Sequence, residues 1–401
     1  MGEAFIVDAI RTPRGRGRAG GSLNEIKPVT LLVGLLKELK KRNDFPTSAV
    51  EDFICGVVHP TSDQGSCIPR TAVLAAGYDV TVPGLQINRF CGSSLDATSI
   101  AANLIRSGSA DLLLSGGVES LSRVPLNSVN GPERQDPETA FQLKYIPQGI
   151  AADLIATMYG YSREQLDRFG LRSHQRAALA WSEDRFSRSV VPVVDRNGMV
   201  VLDHDETIRG DTTLEKLAKL KPSFEDIGSS SYDYLVPSKY PQVERVKHVH
   251  TGGNSSGIAD GASLVLLASE AALKAHNLKP RARVVSTGVV GQDMTIMLTG
   301  PVPATQKALK RAGLSVDDID VFEVNEAFAV VPLYFMDQLG VPEEKVNLSG
   351  GAIAMGHPLG ATGAMILGTC LDELERTGGR YGVITLCTGS GMGTTAVIER
   401  L

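Results

Sequence analysis

The sequence predicts an α/β fold made of two similar halves, with a loop-rich region inserted between them. Three observations predict it. Short apolar runs alternate with helical runs, one order of elements occurs twice at a separation of roughly 270 residues, and a charged, proline-rich stretch divides the copies. At 401 residues the chain exceeds one ordinary domain. Apolar residues make up 42%, enough for sizeable cores.

In the first copy, residues 4–9 read as a strand and 29–41 as a helix. Ser48-Ala49-Val50-Glu51-Asp52-Phe53-Ile54-Cys55-Gly56 then reads as a capped turn feeding a strand. Residues 85–88 form the next strand, and 92–105 a helix running from small residues into Leu95, Ala97, Ile100 and Ala101. Residues 111–114 are a buried apolar strand ending in Ser115-Gly116-Gly117. The second copy repeats this order: strand 283–286, helix 304–312, then the turn and strand of 314–322. Strand 346–348, helix 363–374 and apolar strand 381–386 follow, the last ending in Cys387-Thr388-Gly389.

Alternating strands and helices imply mixed, largely parallel sheets covered by helices, and the repetition implies a pseudo-twofold. Residues 121–247 differ, being rich in charge and proline, with an amphipathic helix over 163–181. They read as a loop domain over one face, where ligand sites are commonly shaped. The division is 1–120 for the first half, completed by about 248–278, then 121–247 for the loop domain and 279–401 for the second half.

Lys and Arg number 40 against 45 Asp and Glu, a net charge of −5 that argues against nucleic acid as a main partner. With 42 glycines and one tryptophan, the chain favours tight turns over aromatic platforms. Five scattered cysteines make no disulfide framework, and no CxxC suggests zinc. The start lacks the basic and apolar runs of a signal peptide, and no window is apolar long enough to span a bilayer. Reduced thiols and a cytoplasmic location are expected.

Cys91 lies in Asn88-Arg89-Phe90-Cys91-Gly92-Ser93-Ser94, between a strand and the start of a helix. A single cysteine is by default a buried structural thiol. A helix start, however, favours thiolate, and the small residues after Cys91 leave room for a substrate. A free thiol is only a few per cent thiolate at neutral pH, so a base is required. His357, in Gly356-His357-Pro358-Leu359-Gly360, stands at nearly the repeat position of Cys91, and the pseudo-twofold would bring the two helix starts together. Cys387 opens Cys387-Thr388-Gly389-Ser390-Gly391-Met392-Gly393 after an apolar strand, where glycines let backbone N–H groups approach a ligand. Asn325, after strand 320–324, is placed either to hold a water or an oxyanion or to cap the following helix.

Three signals compete. Gly15-Arg16-Gly17-Arg18-Ala19-Gly20 fits G-x-G-x-x-G, but no helix starts at once, so a solvated loop or a phosphate contact is the simpler reading. Gly253-Asn254-Ser255-Ser256-Gly257 fits the G-x-S-x-G elbow of a serine hydrolase, with Asp320 and His357 following in hydrolase order. His248 and His250 have no third ligand at a metal-binding spacing, and no metal is expected.

The chain resembles the thiolase family over nearly its whole length, most of all the degradative acetyl-CoA C-acyltransferases of bacteria. The motifs that carry the resemblance are Arg11-Thr12-Pro13, Cys91-Gly92-Ser93, Gly116-Gly117-Val118-Glu119-Ser120, Asn325-Glu326-Ala327-Phe328, Gly356-His357-Pro358 and Cys387-Thr388-Gly389. The resemblance implies a layered αβαβα fold with two mixed sheets, and a dimer or tetramer. It implies Cys91 as the acylated nucleophile, His357 as its base and Cys387 as the group that moves the α-proton. Asn325, through a water, and His357 would form one oxyanion hole, and the N–H groups of Cys91 and Gly389 the other. Ser256 matches the position that contacts pantetheine, and Lys221 and Phe224 lie in a segment similar to the one near the CoA nucleotide. Coenzyme A and acyl-CoA enter as substrates with no permanently bound cofactor, and a β-oxidation hydratase/dehydrogenase subunit is an expected partner. A thiolase-like CoA or lipid binder without activity is the other reading of the same resemblance. Ser94 and Ser390 stand where the family has glycine and are expected to narrow space beside the reacting groups, and residues 225–246 are longer than in short biosynthetic members.

Overall fold

The computed structural model describes residues 2–401. Its main sheet is built from β1 (Phe5–Arg11), β2 (Asp52–Gly56), β3 (Leu85–Ile87), β4 (Leu112–Ser120), β5 (Ala259–Ala268), β6 (Ala282–Gly291), β7 (Val321–Val324), β8 (Tyr381–Thr388) and β9 (Met392–Arg400). The strands run in the order β7-β8-β9-β6-β1-β5-β4-β2-β3, and the two-residue strand Gly15–Arg16 joins beside β5. Two parallel pairs, β2 with β4 and β7 with β8, are each continued by an antiparallel strand, β5 and β9 respectively.

The two sheets expected from the sequence are one continuous sheet. They meet where Phe5 and Ile6 of β1 pair antiparallel with Arg283 and Ala282 of β6. Each first strand would otherwise expose an edge of unpaired N–H and C=O groups; these two residue pairs cover the start of each, and at the far end of β1 Arg11 bridges Val190. Read outward from this seam, the orders β1-β5-β4-β2-β3 and β6-β9-β8-β7 agree position by position. The expected strand at 346–348 is reduced to a single bridge between Val346 and Phe322. Asn347, at φ +51°, explains why: its side-chain amide replaces the ladder, accepting from Val324 N–H (2.8 Å) and donating to Val324 C=O (2.9 Å).

Seven helices of ten or more residues pack on this frame: α1 (Pro28–Asn43), α2 (Ser93–Arg106), α3 (Gln148–Tyr159), α4 (Arg163–Ser182), α5 (Pro301–Ala312), α6 (Val330–Leu339) and α7 (Thr362–Thr377). α2 and α7 touch each other and reach strands on both sides of the seam, α1 covers β5, and α5 covers β6 and β9. The strand period of two decides which core each residue enters. On β5, Ala262, Leu264, Leu266 and Ala268 join the α1 leucines (31, 32, 35, 36 and 39, one helical face), whereas Val265 and Leu267 join α2 and α7.

Between β4 and β5 the chain carries α3, α4 and shorter elements. α4 starts on a capping box, with Ser162 Oγ accepting from Gln165 N–H and Ser162 N–H donating to Gln165 Oε1. Arg11, at the end of β1, makes a buried bidentate pair with Asp205 (2.7 and 2.9 Å), tying this region to the sheet.

Candidate active site

Cys91 follows β3 and precedes α2 on a sharp turn. Phe90 takes φ +48°, Asn88 Oδ1 accepts from Phe90 N–H (2.8 Å), and Ser93 Oγ joins Arg89 N–H (2.9 Å) to Phe90 C=O (2.6 Å). These short-range bonds hold a conformation that a bulky residue rarely adopts. The thiol itself is buried, and burial pushes it up to about 12 against the opposing hydrogen bonds of its own N–H and that of Gly389. Those are the two N–H groups expected to form an oxyanion hole, and both reach the Cys91 sulfur.

His357 lies just before α7. Gly356 needs φ +93°, and a Cβ there would stand 2.7 Å from that of Ala259. The imidazole is buried, with Nδ1 2.6 Å from Thr362 Oγ1, whose own hydrogen goes to Pro358 C=O (3.0 Å). A hydroxyl has one hydrogen to give, so Nδ1 carries the proton and donates, leaving Nε2 as the unprotonated nitrogen that can act as a base. Asn325 Nδ2 sits 3.3 Å from Nε2, and Asn325 Oδ1 is buried with no protein partner. Burial, reinforced by the charge of Arg14, pushes His357 down to about 3. The resting pair is therefore neutral thiol and neutral imidazole.

Cys387 ends β8, opposite Gly393 of β9, and is fully buried. Burial raises its pKa and the nearby Cys91 raises it further, so it too rests protonated. A Cβ on Gly389 would stand 3.0 Å from the Phe90 ring, which keeps the backbone of the two cysteine loops in close approach.

Cys91 opens onto two adjoining cavities. One, of about 500 Å³, is also lined by His357, Ser256, Phe224 and Phe328; the other, of about 230 Å³, by Gly389, Ser390, Met297 and Arg134. Ser256 is held by its N–H on Ala327 C=O (2.9 Å), and the Phe224 and Phe328 rings meet edge to face at 5.9 Å. Lys221 is exposed and outside both linings.

The thiolase N-terminal domain model matches residues 4–231 and the thiolase C-terminal domain model residues 278–400. The chain is 41% identical to a 3-ketoacyl-CoA thiolase of Klebsiella pneumoniae and 42% identical to one of Shewanella denitrificans, with all of each chain covered. It is 40% identical to the steroid 3-ketoacyl-CoA thiolase FadA6 of Mycobacterium tuberculosis, covering all of this chain and 95% of that one. The crystal structure of the Bacillus anthracis acetyl-CoA acetyltransferase superposes with a TM-score of 0.86 at 35% identity, over 100% of this chain and 99% of that one. The chain belongs to the thiolase family.

In this thiolase the serine-hydrolase reading fails. Gly253–Gly257 leads into strand β5 rather than a helix, Ser255 is absent from the left-handed residues, and Ser255 Oγ has no hydrogen-bond partner. His248 and His250 both bond Asp153 through Nδ1, at 2.8 and 2.7 Å, and His248 Nε2 bonds Asp233 at 3.0 Å. After Gly15–Arg16 no helix starts until Pro28, which leaves the G-x-G-x-x-G match without a dinucleotide geometry. Ser94 does not crowd the reacting groups. Its Oγ accepts from Ala364 N–H (3.0 Å), so it caps the start of α7 from the neighbouring helix. Ser390, in contrast, lines the smaller cavity at φ +60°.

Glu119 is the residue whose part the sequence reading left unassigned. Its buried carboxylate accepts from Val58 N–H (3.0 Å), His59 N–H (3.2 Å), Gln64 Nε2 (2.8 Å) and Gly360 N–H (3.0 Å), and pairs with His59 Nδ1 (3.1 Å). One side chain thus fixes the loop of His357 against the wall of the smaller cavity. The signal was present: a carboxylate inside an apolar strand must be held by donors.

Proposed function

We propose that this thiolase cleaves 3-ketoacyl-CoA, or condenses acyl-CoA units in reverse, through an acyl-Cys91 intermediate in lipid breakdown. The observation that carries the reading is the opposition of Cys91 and His357 on one cavity, with the histidine unprotonated at Nε2 and the N–H groups of Cys91 and Gly389 gathered at the sulfur. In thiolysis, His357 Nε2 takes the Cys91 proton and the sulfur adds to the substrate's C3 carbonyl. The N–H groups of Cys91 and Gly389 stabilise the oxyanion that forms, each such donor being worth about 2.7–4 kcal/mol. The C2–C3 bond then breaks, Cys387 gives its proton to C2, and acetyl-CoA leaves. A CoA thiol next attacks the Cys91 thioester, releasing the shortened acyl-CoA and the free enzyme. Asn325, through a water, and His357 serve the oxyanion of the acetyl-CoA enolate.

Ser256 and Phe224 line the cavity that takes the pantetheine arm, and exposed Lys221 is placed for the nucleotide phosphates. The matching strand orders support a duplicated fold with halves 1–120 plus about 248–278, and 279–401, and a loop domain over 121–247. All five cysteines are unpaired and no described helix is long and apolar enough to cross a membrane, which supports a cytoplasmic enzyme with CoA and acyl-CoA as its substrates. A homodimer or homotetramer, working beside a hydratase/dehydrogenase subunit, completes the reading. Incubation with acyl-CoA followed by tryptic mass spectrometry tests it: acyl mass belongs on Cys91. Acyl mass on Cys387 overturns the assignment, and no acyl mass at all makes the protein a binder rather than an enzyme.

A further inference from the structure

Ligand cavities are lined mainly by apolar side chains, with a few polar groups that fix orientation. The smaller cavity beside Cys91 has Val58, Leu126, Val129, Met297 and Leu359 in its wall, but also Arg134, an exposed residue that lines the larger cavity as well. This arginine is held in place. Nε donates to Tyr145 Oη (2.7 Å), Nη1 donates to Asn127 Oδ1 (3.2 Å), and the guanidinium lies 5.7 Å from the Tyr145 ring centre. Nη2 makes no hydrogen bond, and Arg134 forms no ion pair among the described residues.

Two other charged side chains, His59 and Glu133, share the wall. His59 faces two acceptors, Glu119 through Nδ1 and Leu126 C=O through Nε2 (2.5 Å), so both nitrogens carry hydrogen and the charge is matched by Glu119. Burial alone would lower its pKa, but the Glu119 hydrogen bond and charge raise it instead. The Glu133 carboxylate packs over Gly131 of its own turn, and both residues line this cavity beside Arg134.

We propose that Arg134 reads the far end of the acyl chain, and that the substrate is a 3-ketoacyl-CoA whose chain ends in a carboxylate. The inference rests on the thiolase reading and names the substrate class of that same site. A guanidinium with a donor free of protein partners matches a carboxylate through charge-assisted hydrogen bonds, whereas a methyl terminus offers it no partner and leaves it to water.

The test compares kcat/KM for thiolysis of two 3-ketoacyl-CoAs of equal chain length, one ending in carboxylate and one in methyl. The wild-type protein favours the carboxylate by about two- to fivefold, the range for an ion pair at an exposed side chain. Arg134→Gln collapses that ratio, and Arg134→Lys restores only part of it, because a point charge lacks the planar fork. A ratio unchanged in Arg134→Gln, or a wild-type preference for the methyl chain, overturns the proposal. So does a rise in KM for CoA that is equal with both substrates, which would assign Arg134 to the CoA phosphates. Mass spectrometry of Cys91 separates the two levels of failure. Acylation by both substrates without preference sinks this inference alone, while an unmodified Cys91 sinks the thiolase reading with it.

Discussion

Cys91 and His357 are each shifted away from their charged forms, the thiol up to about 12 and the imidazole down to about 3. The thiolate is therefore made when substrate arrives, not stored. Alkylation of Cys91 by iodoacetamide should keep accelerating from about pH 6 to pH 9, because the whole window lies below the pKa of the thiol. A plateau below about pH 8 in the inactivation rate would show a preformed thiolate–imidazolium pair instead. Cys387 and His357 divide the remaining chemistry. Acylation needs a Cys91 thiolate and an oxyanion hole, so Cys387→Ala should still form acyl-enzyme in one turnover. It should lose steady-state condensation by at least about 10²-fold, the lower range for a general acid–base group. His357→Ala should lose both steps. Exchange of the acetyl-CoA α-protons in deuterated water checks the division; normal exchange by Cys387→Ala would assign that proton to another group.

At the scale of elements, the helices α2 and α7 start side by side, and Ser94 at the beginning of one satisfies Ala364 N–H at the beginning of the other. Helix starts leave N–H groups without intrahelical partners, and here the neighbouring helix supplies the acceptor. Close approach is required as well: a Cβ on Gly363 would stand 2.5 Å from Leu95 N. Ser94→Ala should cost about 1–3 kcal/mol, the penalty of an unmet buried donor, in urea unfolding. The acyl-chain preference should not move, since Ser94 is outside the cavity lining. A shift in chain preference without loss of stability would return Ser94 to the acyl site.

At the scale of the whole molecule, the loop region is fastened to the sheet through buried charge. Arg11 bonds Asp205 twice and lies 5.0 Å from the Phe186 ring centre, while Trp181 Nε1 donates to Asp205 (3.1 Å). Asp205 is held below the usual carboxylate range, since the charges of Arg11 and Arg14 outweigh the burial that would raise it. Removing one partner strands a charge in the interior. Arg11→Ala should therefore lose about 3–5 kcal/mol in denaturant unfolding. A loss below about 1 kcal/mol in Arg11→Ala would show that the pair does not join the two regions.

The repeated order of strands and helices, the positions of Cys91, His357 and Cys387, and the helix from Arg163 were legible along the chain, because periodicity, glycine turns and capping residues act over a few neighbouring positions. Glu119 and Arg134 were not assigned a part, because what each does depends on groups brought from Gly360, Tyr145 and Asn127. Asn347 looked like strand and is not, since its side chain, not its backbone, completes the ladder. Ser94 and Ser390 looked alike as serines in place of glycine, yet one caps a helix and the other lines a cavity. The joining of two expected sheets into one was likewise a tertiary decision. Local sequence sets which residues form a strand, but which edge that strand meets is decided only when both halves are folded and each needs its backbone groups paired.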